Sequence, residues 1–260
     1  MTTPAPLVRR TAVVTGSSRG LGLAIANALA AAGVAVVVNA RVDEDGVRRA
    51  AASCREHGVD SMGVLADVSK PSAAVDLIDK SRSAFGAVDI LVNVVGSSPY
   101  VPLLELSDDE WHKLMAINVD SMFYCIKAAL PDMLARGWGR IINVTGHAYM
   151  RSGVAAHTSA SKAAAMGLTR AVASEVAASG ITCNEMVPGF MDTEPRKHKY
   201  YDDRKPAGAR PWGAVERVRE VPQGRMGRPD ELAAVCVFLC SDAASYVTGQ
   251  TWMVNGGLRW

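Results

Sequence analysis

The sequence predicts a doubly wound α/β domain, in which one parallel β-sheet carries helices on both faces. Three observations predict it. Short runs rich in β-branched residues alternate with helical segments along the whole chain. Those runs are apolar on both faces, as strands buried between two helix layers must be. A glycine-rich turn, TGSSRGLG (15–22), joins the first run to the first helix.

In order, TAVVTG (11–16) is the first strand and ends at Gly16. Residues 20–32 form a helix, Gly33 stops it, and VAVVV (34–38) is the second strand. The uncharged run 21–40 is long enough to be weighed as a membrane span. Asn27, Gly33 and Asn39 interrupt it, and its texture turns from Ala/Leu-rich to Val-rich at Gly33, so a buried helix followed by a buried strand explains it better. SMGVLAD (61–67) is a strand, 71–85 a helix and VDILVNVVG (88–96) a strand. Residues 106–137 read as one long helix, with Ser107 as N-cap and Glu110 completing a capping box. GRIINVTG (139–146) is a strand, 159–180 a helix closed by Gly180, and ITCNEMV (181–187) a strand. Residues 228–242 form a further helix, and GQTWMVNGG (249–257) ends in the last strand.

The 260 residues suffice for one large domain, and no linker, repeat or low-complexity segment divides them. The expected architecture is a single-domain doubly wound, Rossmann-type sheet spanning residues 1–260. A polar stretch at 190–227 departs from the tight alternation. It carries nine basic and six acidic residues together with Tyr200, Tyr201 and Trp212. It follows a strand at the carboxyl edge of the sheet, where such folds bind ligands, and is expected to be a substrate loop or lid.

A net charge of +2, from 28 basic and 26 acidic residues, gives no reason to invoke nucleic acid or an anionic membrane. The five cysteines (Cys54, Cys125, Cys183, Cys236 and Cys240) form no CxxC pair and have no accompanying histidine spacing, so no metal is expected. Scattered in apolar surroundings, they read as buried reduced thiols. The N-terminus has no apolar core of signal-peptide type. A cytoplasmic protein is expected.

The glycine loop points to a nucleotide. Gly16, Gly20 and Gly22 let the backbone turn tightly and approach a ligand, and the helix behind them offers N–H groups and a positive dipole end to a pyrophosphate. The candidate contacts are Gly16, Ser18, Arg19, Gly20, Leu21 and Gly22. The end of the second strand selects the cofactor. An NAD(H) site wants a carboxylate there, and NADP(H) wants positive charge for its 2′-phosphate. The chain has Ala40 at that place and Arg41 next, with Arg19 able to join it on one phosphate. NADP(H) is expected over NAD(H).

At this point the sequence resembles the short-chain dehydrogenase/reductase family, from about residue 9 to 257. TGSSRGLG is similar to the family's glycine loop and Asp67–Val68 to its adenine-contacting pair. NVVG (93–96) is a variant of its Asn-Asn-Ala-Gly segment that keeps Asn93 and Gly96. Asn118 matches the asparagine of the catalytic tetrad, and PGFMDT (188–193) matches the segment that holds the nicotinamide, implicating Pro188, Gly189 and Thr193. Residues 225–257 follow the family's C-terminal pattern. The resemblance implies an NAD(P)(H)-dependent carbonyl/alcohol oxidoreductase acting on a small molecule, as a homotetramer or dimer. Its chemistry would rest on a Ser-Tyr-Lys-Asn set, in which the lysine holds the cofactor ribose and lowers the tyrosine's pKa.

Lys162 and Asn118 are present, but the tyrosine position, four before the lysine, is Thr158. The serine position falls on Gly146 when counted from GRII and on Thr145 when counted back from residue 158; neither is serine. A phenol near pKa 10 can be drawn towards neutral by an ammonium, whereas an aliphatic hydroxyl lies too high to follow. General acid–base catalysis supplies roughly 10²–10⁴-fold, so its loss slows hydride transfer without abolishing it. Candidate replacements are His147 and Tyr149, which follow the strand that would carry the serine. His157 adjoins Thr158, but one helical step turns it about 100° away. Thr145 could hydrogen-bond a substrate oxygen without titrating.

Two functions follow. The first is an atypical NADP(H)-dependent oxidoreductase for a carbonyl, alcohol or activated enone. The second is a non-redox protein on the same scaffold, serving as a cofactor-binding regulator or partner protein, or reused for lyase or hydrolase chemistry.

Overall fold

The computed structural model describes residues 7, 10–147, 155–193 and 218–258. Seven parallel strands form one sheet in the order β3-β2-β1-β4-β5-β6-β7. They are β1 (Thr11–Val14), β2 (Ala35–Ala40), β3 (Ser61–Leu65), β4 (Ile90–Asn93), β5 (Gly139–Val144), β6 (Ile181–Pro188) and β7 (Thr251–Val254). The chain starts in the middle at β1, winds outward to β3, then crosses to β4 and winds the other way. The switch point therefore lies between the carboxyl ends of β1 and β4, where folds of this type bind ligands.

The strand pattern divides the core. Ala12, Val14, Val36, Val38, Ile90 and Val92 face α1 (Gly20–Ala31), α2 (Glu44–Arg55) and the helix Pro229–Cys240 (here α7). Their neighbours Val13, Val37, Leu91 and Ile141 face α3 (Pro71–Phe85), α5 (Ser121–Arg136) and α6 (Ala156–Val176). Two-residue alternation with both faces apolar is what a sheet between two helix layers requires. The run 21–40 is a helix and a strand, and no helix of the described residues is long and apolar enough to cross a membrane. All five cysteines are buried and unbridged.

Two elements differ from the sequence reading. No helix was expected between the second and third strands, yet α2 fills the crossover. Asp43 caps it by accepting from the Gly46 N–H, and the acidic Glu44 and Asp45 lie in its first turn, where the helix dipole favours them. The long helix expected at 106–137 is broken. The Ser107–Glu110 capping box opens α4 (Asp108–Met115), but a π-helical turn (Ala116–Asp120) separates it from α5. The wider turn carries Asn118, and such insertions recur at functional sites. Of the segment 190–227, residues 194–217 lie outside the described residues, as does Tyr149.

Candidate active site

The glycine loop is built by close approach. A β-carbon on Gly22 would stand 2.3 Å from the Gly16 carbonyl oxygen, so α1 packs on the end of β1 only without a side chain there. Gly16 (φ +63°) and Gly20 (φ +58°) adopt the left-handed backbone, and a β-carbon on Gly20 would meet open space. The loop is held from beneath by Ser17, which the sequence reading did not name, and by Asn39, which it named only as a break in the apolar run 21–40. Ser17 Oγ donates to the Val14 carbonyl (2.6 Å) and accepts from the Asn39 N–H (2.9 Å). Asn39 Nδ2 donates to the carbonyls of Val64 and Ala66, both at 3.1 Å. Asn39 thus ties the ends of β2 and β3 to the loop; a lone polar residue in VVVNA was the signal.

This cradle fits a dinucleotide. No side chain caps α1 at Arg19, whose extended backbone leads into the first turn, so the helix end presents its first N–H groups to the space before the loop. Arg19 and Arg41 are exposed, and Arg41 follows Ala40 at the end of β2. Asp67 Oδ1 accepts from Ser69 N and Oγ, which fixes the turn after β3, and Val68 is buried. Asn93 turns into the sheet, where its Nδ2 donates to Asn143 Oδ1 at 2.8 Å.

The second half of the site gathers around α6. Asn118 Oδ1 accepts from the Ser97 N–H (2.8 Å), while its Nδ2 donates to the Ser97 carbonyl and to Ser161 Oγ, both at 2.9 Å. A β-carbon on Gly96 would stand 3.0 Å from Lys162 Nζ and 3.5 Å from Asn118 Oδ1. The end of β4, the π turn and α6 therefore converge on one buried ammonium. Thr158 is buried one turn before Lys162, and its Oγ1 donates to the Pro99 carbonyl at 3.0 Å. His157, one helical step round from Thr158, is buried as well. Burial lowers its pKa, and its Nδ1 has no hydrogen-bond partner among the described residues.

The end of β5 carries the remaining candidates. Thr145 Oγ1 donates to Glu185 Oε1 at 2.6 Å, and Glu185 Oε2 accepts from Thr251 Oγ1 at 2.8 Å. Glu185 was absent from the sequence reading, though it is the one acid in the strand run ITCNEMV. His147 lies with Nδ1 3.3 Å from the Pro188 carbonyl and its ring edge-on to Phe190. Gly189 packs where a β-carbon would stand 2.7 Å from Asn255 Cα, and its N–H donates to the Val254 carbonyl. The Thr193 N–H donates to the Met191 carbonyl.

A glycine cradle at the switch point, facing a buried lysine across the ends of β4 and α6, puts the molecule among the dinucleotide-binding α/β proteins. Comparison with known proteins narrows that class. Residues 16–259 match the family model described as enoyl-(acyl carrier protein) reductase. The chain is 37% identical over 248 residues to the 3-oxoacyl-[acyl-carrier-protein] reductase FabG of Escherichia coli K12, covering 95% of this chain and 96% of that protein. It is 36% identical over 252 residues to the D-beta-hydroxybutyrate dehydrogenase of Cupriavidus necator, covering 95% and 97%. A crystal structure from Sinorhizobium meliloti 1021, described as a short-chain alcohol dehydrogenase, superposes with a TM-score of 0.87 at 33% identity and covers 97% of each chain. The chain belongs to the short-chain dehydrogenase/reductase family of oxidoreductases.

Proposed function

We propose that this protein is an NADP(H)-dependent oxidoreductase of a small-molecule carbonyl/alcohol pair, working without the tyrosine acid that its family resemblance leads one to expect. The observation that carries the reading is the approach of Lys162 Nζ and Asn118 Oδ1 to the bare α-carbon of Gly96. It leaves an ammonium and an amide at the strand end opposite the glycine cradle, where the ribose of a dinucleotide laid across the switch point would fall. Bound there, the dinucleotide supplies or accepts the hydride. Gly16, Ser18, Arg19, Gly20, Leu21 and Gly22 would hold its pyrophosphate, Arg41 with Arg19 its 2′-phosphate, and Asp67 with Val68 its adenine. Lys162 and Asn93 would lie by its nicotinamide ribose, and Pro188, Gly189 and Thr193 by the nicotinamide.

Thr158 occupies the place of the expected phenol, and its proton is committed to the Pro99 carbonyl. The substrate oxygen must therefore be served by another group, or activated by its own structure. The relatives are named for 3-oxoacyl-[acyl-carrier-protein] and for D-beta-hydroxybutyrate. A 3-oxoacyl compound suits this site, because its second carbonyl withdraws electrons from the first. A soluble homo-oligomer, dimer or tetramer, is the assembly we expect.

The same Thr158–Pro99 bond favours a second reading, a cofactor-binding protein that performs no redox chemistry. Fluorescence titration with NADPH and NADH, followed by assays on ketones and 3-oxoacyl thioesters, separates the two. Tight NADPH binding with turnover of a 3-oxoacyl thioester supports the first. Tight binding with no consumption across the panel supports the second, and no dinucleotide binding rejects both.

A further inference from the structure

Glu185 is a fully buried carboxylate inside a strand whose neighbours are apolar or uncharged. Burying a polar side chain costs free energy unless hydrogen bonds satisfy it. A strand position of this kind takes Val or Ile at no such cost, and places where local rules fail are commonly functional. Two hydroxyls meet the carboxylate, Thr145 Oγ1 on one oxygen and Thr251 Oγ1 on the other. Thr145 is the first residue beyond β5, two past the Asn143 that pairs with Asn93, and so stands at the carboxyl edge of the sheet where folds of this type bind ligands. Its N–H donates to the Met186 carbonyl, which fixes its backbone against β6. It keeps 8% of its surface exposed at this strand end.

A threonine hydroxyl has one proton and two acceptor lone pairs. With its proton committed to Glu185, Thr145 presents acceptor capacity to whatever lies beside it. We propose that Thr145 is the catalytic hydroxyl that contacts the substrate oxygen, and that Glu185 is the positioning residue that orients it and holds the transferred proton. The proposal rests on the oxidoreductase reading above. In the oxidative direction the alcohol O–H proton passes to Thr145 Oγ1, and the Thr145 proton passes to Glu185 Oε1. The carbinol carbon gives its hydride to the oxidised nicotinamide dinucleotide, so a C–H and an O–H bond break and a C=O bond forms. Glu185 ends as the carboxylic acid and loses its proton to solvent, with the half-buried Thr251 on its outer oxygen. Reduction runs the same steps backwards. The pair does the work of a phenol without an aliphatic alkoxide ever standing free.

The test uses the full-length protein with acetoacetyl and 3-hydroxybutyryl thioesters as probes. Glu185→Gln keeps the shape but cannot take the proton. It is expected to lower kcat by about 100-fold or more, within the range of general acid–base catalysis. KM and the NADPH Kd should stay within about threefold. Thr145→Val should behave alike, Thr145→Ser should recover the rate, and the double variant should be no slower than the slower single one. If Glu185→Gln retains kcat within about threefold, or the two losses multiply, Glu185 is a structural residue and the relay is wrong. If Glu185→Gln does not fold, the Thr145 pair decides alone: an unchanged kcat in Thr145→Val overturns the relay.

Infrared difference spectra provide a readout that needs no turnover. Binding of the 3-hydroxybutyryl thioester should shift a carboxylate band in the wild type and in Thr145→Ser, and not in Glu185→Gln or Thr145→Val. An unshifted band in a wild type that binds the thioester overturns the relay. A shifted band in a protein that never consumes NADPH overturns the oxidoreductase reading instead.

Discussion

A β-carbon on Gly96 would stand 3.0 Å from Nζ of Lys162, so the glycine at the end of β4 and the lysine of α6 are matched to one another. The bare α-carbon is what lets the ammonium come forward beside the Asn118 amide. Gly96→Ala should push Nζ back by a few tenths of an ångström while leaving the core untouched. Loss of one charge-assisted hydrogen bond to the cofactor, about 1.5 kcal/mol, corresponds to a weakening of NADPH binding by about tenfold. Fluorescence titration beside a thermal melt checks this, and an unchanged Kd would detach Lys162 from the cofactor.

Cofactor choice should follow Arg41. The exposed guanidinium next to Ala40 is the charge a 2′-phosphate would meet, with Arg19 across the loop. Arg41→Asp should weaken NADPH binding by about 10–100-fold, while NADH binding changes by less than about threefold. The difference should shrink as salt is added, because both arginines face solvent. Competitive titration at two ionic strengths measures it.

His157 gives a stability signature on the acid side. Burial holds its pKa below the usual 6.5, with the Glu110 charge opposing weakly. As pH falls through 6.5 the unfolded chain takes up a proton that the folded chain still refuses. The folded state therefore has its full stability above that value and loses some as pH drops towards the lowered one. His157→Phe removes the group, so its urea midpoint should fall less than that of the wild type between about pH 7 and pH 5. Parallel midpoints would show that His157 titrates normally.

Thr158→Tyr tests whether only the phenol is wanting. Thr158 is buried and bonded to the Pro99 carbonyl, so a tyrosine must displace the 97–101 loop to fit. If the lysine, asparagine and cradle stand as in an active relative, ketone reduction should rise by about 10²-fold, the lower bound of acid–base assistance. Steady-state assays on simple ketones against the wild type measure the gain. An inactive but folded and NADPH-binding variant would show that the loop, not the phenol alone, sets the activity.

The fold was legible because its signals are local and repeated. Runs such as AVVV and ILVN, short, rich in β-branched residues and apolar on both faces, read as strands between two helix layers, and the turn 15–22 marks the switch point. The helix α2 went unseen because its alanines and charges make no apolar run; its cap Asp43 was the readable sign. The π turn was hidden because a one-residue widening leaves hydrophobic spacing almost unchanged, and only the backbone bonding at Ala116–Asp120 reveals it. Glu185 was missed for another reason. Periodicity marks a strand and not what its odd polar residue touches, so the bond to Thr145 across 40 positions had no trace in the sequence. Conversely Lys162 and Thr158 were visible at once, because i and i+4 share a helix face.

The most direct test is isotopic. NADPH carrying deuterium at the transferable position of its nicotinamide should be mixed with the protein and a 3-oxoacyl thioester in a single turnover, and the product analysed by mass spectrometry. A 3-hydroxyacyl product one mass unit heavier, formed as the NADPH absorbance falls, is the result predicted for a hydride-transferring enzyme without a tyrosine at position 158. Bound NADPH that keeps its deuterium while 3-oxoacyl thioesters and simple ketones go unreduced would contradict it.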